Sequence, residues 1–244
     1  MAMISEQYSK SIKRGELISL LAVACLLFAL GVVAQNIIAG RSFELDQRII
    51  LALRDPTDPS APIGPAWLQE AARDLTSLGS IIVLTIITFT FCGYLFCSRQ
   101  YAAAWLMIVA VCGGIVLNDL LKAAIARPRP DLIYQAVRVF TSSFPSGHAE
   151  LSATTYLTIA ALLAQNQSSF KIRLYFIVLA VLLTILIGIS RIYLGVHYPT
   201  DVFGGWCVGA AWALGCWAFL TWFHRKRPGF ARWNEASNRS SGPH

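Results

Sequence analysis

Six stretches of this chain, at 17–40, 75–98, 100–118, 151–170, 174–190 and 202–223, contain no charged side chain. Each approaches the ~20 residues with which a helix crosses a ~30 Å hydrocarbon core. The expected fold class is therefore all-α: a polytopic membrane protein with a six-transmembrane-helix bundle. Composition agrees, with 56% of the 244 residues hydrophobic, 14% charged and a mean hydropathy of +0.57, outside the range of an ordinary soluble domain. The first stretch is too long, and its flanks too polar, for a cleaved signal peptide, so it is expected to stay as an anchor.

An even number of spans places both ends on one side. Lys10, Lys13 and Arg14 precede the first span, and Arg225, Lys226 and Arg227 follow the last. The positive-inside tendency assigns both ends to the cytoplasm. The organisation expected is a cytoplasmic lead at 1–16, a six-span domain at 17–223 and a basic cytoplasmic tail at 224–244. The net charge of +7 is spread over both faces without a long basic stripe. Membrane lipids are thus the expected partners and nucleic acid is not; oligomeric state leaves no signature. All six cysteines fall within the spans, without a CxxC pair or a neighbouring histidine. They read as small buried hydrophobes rather than as disulfide or metal ligands.

The longest segment between spans, 41–74, has structure of its own. FELDQRIILALR sets Phe43, Ile49, Ile50 and Leu53 on one helical face, opposite Glu44, Arg48 and Arg54. That pattern suits a helix lying in the membrane interface. The proline-rich DPTDPSAPIGP ends it, and a second amphipathic piece with Trp67 leads into the second span. Interfacial helices between the first two spans, forming an extracytoplasmic cap, are expected.

With both ends inside, three polar clusters emerge together on the outer face. They carry Lys122 and Arg129, then Ser146, Gly147 and His148, then Arg191, His197 and Asp201. Singly, each has a plain structural explanation: Lys122 follows Asp119 by three residues and could pair with it, and RPRP could be a rigid turn. Jointly, one lysine and two arginines without a surplus of carboxylates make a site for a multiply charged anion such as phosphate. Ser146 and Gly147 sit at the start of the fourth span, where free amides and the helix dipole favour an anion. Phosphate binding does not require histidines. Asp201 lies four residues beyond His197 and can orient its ring, leaving one ring nitrogen as nucleophile. His148 is then the general acid for the departing oxygen, and the cations stabilise charge during in-line transfer. No metal or other cofactor is expected, because the carboxylate clusters that hold Mg²⁺ are absent from the outer loops.

Lys122, six residues, Arg129-Pro130; Pro145-Ser146-Gly147-His148; and Ser190-Arg191, five residues, His197, three residues, Asp201 together resemble the three-part signature of the type 2 phosphatidic acid phosphatase superfamily. Arg127-Pro128 is a near match, but only Arg129 has the family's spacing from Lys122. The resemblance implies an all-helical phosphatase with a phosphohistidine at His197, Asp201 as its partner and His148 as acid. Lys122, Arg129, Ser146, Gly147 and Arg191 are the implied phosphate ligands. It further implies an enzyme of the bacterial inner (plasma) membrane, with its site on the periplasmic side, acting on lipid phosphates or diphosphates. Undecaprenyl diphosphate, phosphatidylglycerophosphate, phosphatidate and lipid A all remain open as substrates. A lipid phosphotransferase, passing the phosphoryl group to a lipid or sugar, is the alternative. A transporter is disfavoured because the charges gather at one surface rather than at midplane. A non-catalytic lipid-binding protein would not need His197 paired with Asp201.

Overall fold

A hydrocarbon solvent offers no hydrogen bonds, so each spanning segment has to bond its own backbone, and a helix does this locally. The computed structural model describes residues 2–41, 43–131 and 141–226, and these form eight helices with no strand among them. In chain order they are α1 (Ala2–Ile38), α2 (Phe43–Ala52), α3 (Ala66–Ser77), α4 (Ile81–Cys97), α5 (Tyr101–Ile125), α6 (Gly147–Gln165), α7 (Phe170–Tyr193) and α8 (Pro199–Lys226). Most of the expected tail, 227–244, lies outside the described residues.

Four segments, Leu17–Ile38, Tyr101–Ile125, Phe170–Tyr193 and Pro199–Phe223, are long and apolar enough to cross a membrane. A fifth is formed if α3 and α4, bent by 46° at their junction, count as one span. The expected second span therefore divides. Ser80 accepts a hydrogen bond from the Val83 N–H at 3.3 Å, which caps α4 and restarts the helix after Leu78 and Gly79. The fourth expected span is α6, and it falls outside the apolar set for a physical reason. It packs against α4, α5, α7 and α8, so protein rather than lipid surrounds it. Its Ser152, Thr154, Thr155 and Thr158 are buried accordingly.

Interhelical bonds and close contacts join the bundle. Trp206 Nε1 donates to Thr184 O at 3.1 Å, and Trp212 Nε1 donates to Ala110 O at 2.8 Å, tying α8 to α7 and to α5. Ala103, Ala104, Met107 and Val111 of α5 pack with Cys92 and Leu95 of α4 and Leu162 of α6, the small side chains allowing the close helix approach favoured in membranes. At Gly205 the approach reaches backbone contact: a Cβ there would stand 2.7 Å from Ser146 O and 3.0 Å from the Ala149 Cβ. The start of α8 is thereby pressed against the start of α6.

The segment between α1 and α4 does contain two helices, but the inward face of α2 differs from the expected one. Asp46 and Ile50 are buried on it, while Ile49 is exposed. Arg54 is also buried, and its guanidinium donates to the Tyr193 carbonyl. The reason is that α2 docks on the bundle against α8, so it buries polar groups that have partners there. The cysteines divide too: all six are free, but Cys25, Cys97 and Cys112 are exposed on the outer surface of the bundle.

Candidate active site

The three polar clusters lie at helix ends. Lys122 is in the last turn of α5, and Ala126 closes that helix in the left-handed conformation, with φ 48° and its N–H on the Lys122 carbonyl. The chain then turns through Arg127-Pro128-Arg129-Pro130. Ser146 is the N-cap of α6, so Gly147 and His148 open that helix. Arg191 lies in the last turn of α7 and Asp201 in the first turn of α8. His197 lies in the short connection between these two helices.

Arg129 Nη1 approaches His197 Nε2 at 3.0 Å and donates to Val196 O at 2.6 Å. A guanidinium can only donate, so Nε2 is the accepting nitrogen of the neutral ring and Nδ1 carries the proton. Nδ1 faces Asp201 Oδ2 at 3.6 Å. That is beyond hydrogen-bond length, so this ring N–H has no bonded partner in this structure. Burial lowers the His197 pKa from 6.5 to about 3; Asp201 acts in the opposite direction, and Arg129 and Arg191 add to the lowering. The imidazole is thus held neutral, with a lone pair directed among cations.

Other polar atoms around it also lack partners. Ser146 is fully buried, its hydroxyl is unbonded, and its side chain makes no cap bond although it occupies the cap position. Its N–H donates to Asp201 O at 3.0 Å, which ties the α6 start to α8. Arg191 is buried and donates from Nη1 to Thr76 Oγ1 at 3.0 Å, with Nε unbonded. Buried donors without partners are costly, and a cluster of them suits an oxyanion. Gly147 leaves room for this: a Cβ there would stand 3.5 Å from Lys122 Nζ and 3.3 Å from Asn118 Oδ1. Burial lowers the His148 pKa from 6.5 to about 2, and the nearby Arg191, Lys122 and Arg129 act in the same direction, so this ring too is neutral in the resting site. The expected site residues therefore converge from four helix ends and the two connecting loops.

Sequence spacing passes over several further participants. Arg127, the near match, bonds not phosphate ligands but carboxylates: Nη1 donates to Asp201 Oδ1 at 2.5 Å, and Nη2 donates to Asp46 Oδ2 at 2.6 Å. Burial lowers its pKa, but Asp201 and Asp46 outweigh burial and hold it above the usual value. Asp201 Oδ2 accepts from the Ser143 hydroxyl and from the Tyr198 N–H, the latter at 2.9 Å. The one available sequence signal was the doubled Arg-Pro. Asp46 offered none, since an acidic residue on an interfacial helix ordinarily faces water. Among the described residues no group of three or more His, Cys, Asp or Glu side chains is placed to hold a metal ion.

Residues 103–225 match the PAP2 superfamily. Phosphatidylglycerophosphatase B of Bacillus subtilis (strain 168) is 37% identical over 150 residues, covering 59% of this chain and 70% of that protein. A lipid A 1-phosphatase of Rhizobium etli is 32% identical over 179 residues, covering 60% and 72% respectively. The crystal structure of a transmembrane PAP2 type phosphatidylglycerolphosphate phosphatase from Bacillus subtilis superposes with a TM-score of 0.71 at 29% identity, covering 81% of this chain and 94% of that one.

Proposed function

Because this chain belongs to the PAP2 superfamily, we propose that it is an integral membrane lipid phosphatase working through a phosphohistidine at His197. The observation that carries the reading is the ring orientation: Nε2 presents its lone pair toward Arg129 while Nδ1 faces Asp201. A phosphate group held by Lys122, Arg129, Arg191, the Ser146 hydroxyl and the amides at Gly147 and His148 would place phosphorus in line with Nε2. Attack forms the N–P bond and breaks the P–O ester bond; His148, neutral in the resting site, takes up a proton from water once the bound phosphate dianion offsets the surrounding cations, and delivers it to the departing lipid oxygen. Water, deprotonated by His148, then cleaves the N–P bond to release phosphate and restore the imidazole. The developing imidazolium is stabilised by Asp201, whose 3.6 Å contact is of the kind that shortens in the reacting complex. The guanidinium and ammonium groups supply the positive charge that a metal provides in other phosphoryl transfers, so the reaction is proposed to be metal-independent.

The architecture proposed is six spans within 17–223, the segment 41–74 as an extracytoplasmic cap, both termini (1–16 and 224–244) cytoplasmic and the site facing outward. The names of the relatives, phosphatidylglycerophosphatase, lipid A 1-phosphatase and undecaprenyl-diphosphatase, support a lipid phosphate or diphosphate substrate, with phosphatidylglycerophosphate, lipid A, undecaprenyl diphosphate and phosphatidate as the candidates. The test is phosphate release from each of these four by purified protein, with His197→Ala as control. Release from at least one lipid by wild type, abolished in a folded His197→Ala protein, is expected. Undiminished turnover in that variant would overturn the nucleophile assignment. Label recovered on a lipid or sugar instead of as free phosphate would make the protein a phosphotransferase.

A further inference from the structure

Two side chains of the cap and its neighbouring loop, an aspartate and an arginine, are buried without a part in the chemistry above. Asp46, in the first turn of α2, is fully buried, and Arg127 is 7% exposed. Burying such charges is costly unless each is paired and bonded. Here the pairing runs straight to the nucleophile's partner. The planar fork of Arg127 spans Asp46 on one nitrogen and Asp201 on the other, and its Nη1 also donates to Thr200 Oγ1 at 2.8 Å. Its plane lies over the Tyr198 ring, 4.4 Å from the centroid, so the residue following His197 fixes the guanidinium from one side. Asp46 is fully engaged in turn. It accepts from the Thr200 hydroxyl at 2.5 Å and from the Thr200 N–H at 3.1 Å. That N–H belongs to the first turn of α8, where a helix has no internal acceptor to offer. A carboxylate from a different helix thus caps the helix that carries Asp201.

We propose that Arg127 and Asp46 are positioning residues for the phosphatase reaction, linking the interfacial helix α2 to Asp201 so that the carboxylate can hold His197 in its attacking orientation. Arg127 engages Oδ1, and Ser143 and the Tyr198 N–H engage Oδ2, the oxygen that faces the ring. Without the guanidinium, Oδ1 would be a buried oxygen with no donor, and the carboxylate would turn or take up a proton to satisfy it. Lysine does not replace arginine here, because only a fork serves two carboxylates at once. The cap is on this account a structural part of the catalytic centre rather than a cover for it.

This inference rests on the phosphatase reading, and the experiment separates the two. Wild type, Arg127→Gln, Arg127→Lys, Asp46→Asn, the Arg127→Gln/Asp46→Asn double variant and His197→Ala are compared on phosphatidylglycerophosphate in mixed micelles, with p-nitrophenyl phosphate as a second substrate. Steady-state constants, melting temperature and the rate of labelling of the protein by phosphate-labelled substrate are recorded. Since neither positioning residue touches phosphate, Arg127→Gln should lower kcat by about tenfold to a hundredfold, the scale seen for groups that orient a working imidazole. KM should stay within about twofold, and protein labelling should slow by the same factor as kcat. Arg127→Lys should fall between wild type and Arg127→Gln. Asp46→Asn should lower kcat in the same sense, and its effect should shrink in the Arg127→Gln background because the two act through one contact. A folded Arg127→Gln protein with wild-type kcat, or one changed in KM alone, overturns the proposal. Should Arg127→Gln not fold, the near-isosteric Asp46→Asn decides by the same criteria. The phosphatase reading fails separately, if His197→Ala turns over either substrate at the wild-type rate.

Discussion

Ser146 occupies a helix-cap position with a buried hydroxyl that the fold itself does not use. An N-cap serine normally contributes about 1 kcal/mol by bonding the helix amides, but this hydroxyl makes no such bond. Ser146→Ala is therefore expected to leave the melting temperature within a degree or two while lowering kcat/KM about tenfold or more, the loss of one hydrogen bond to a charged group. Thermal unfolding and kinetics on the same preparation check both halves. His148→Ala should damage turnover of alkyl phosphates, whose leaving oxygen needs a proton, far more than turnover of p-nitrophenyl phosphate; equal losses on the two would remove His148 from the acid role. His197 makes a prediction about pH. Its ring stays neutral in the fold down to about pH 3, whereas the unfolded chain protonates near 6.5. Between these values the unfolded state binds the extra proton, so stability is full above about pH 6.5 and declines as pH falls. Melting temperatures at about pH 7 and pH 5 should drop further for wild type than for His197→Ala. The residues fixed by motif spacing were legible in the sequence. Arg127 and Asp46 were not, because their meaning is a pairing between segments 81 positions apart, which spacing along a chain does not encode.

At the scale of elements, apolar length predicted a helix at every expected span, and charge-free runs were the right signal for α6 even though its hydropathy is diluted by buried threonines. The break before α4 and the inward face of α2 were less legible. Both depend on what the helix packs against, and periodicity alone cannot distinguish a face turned to lipid from one turned to a neighbouring helix. The α6–α8 contact gives a test at this scale. Gly205→Ala would set a methyl group 2.7 Å from the Ser146 carbonyl, and overpacking of this kind typically costs about 1–3 kcal/mol. A melting temperature lower by several degrees is expected, with reduced activity as Asp201 shifts away from Ser146. Gly215→Ala, where a Cβ meets nothing within 4 Å, is the matched control and should change neither.

For the molecule as a whole, the cationic cluster predicts that exhaustive dialysis against EDTA leaves turnover unchanged. A loss restored by one divalent cation would overturn the proposed metal-independence. The same cluster has a consequence for selectivity. In the resting protein Nε2 of His197, the proposed attacking nitrogen, is already occupied, its lone pair engaged by Arg129 at 3.0 Å. An uncharged electrophile, such as a small alkylating reagent, gives that guanidinium no reason to move and meets a masked ring. On the proposed mechanism a dianion would draw the guanidinium to itself and unmask the ring in the same motion, so that reactivity would be released by the arrival of negative charge.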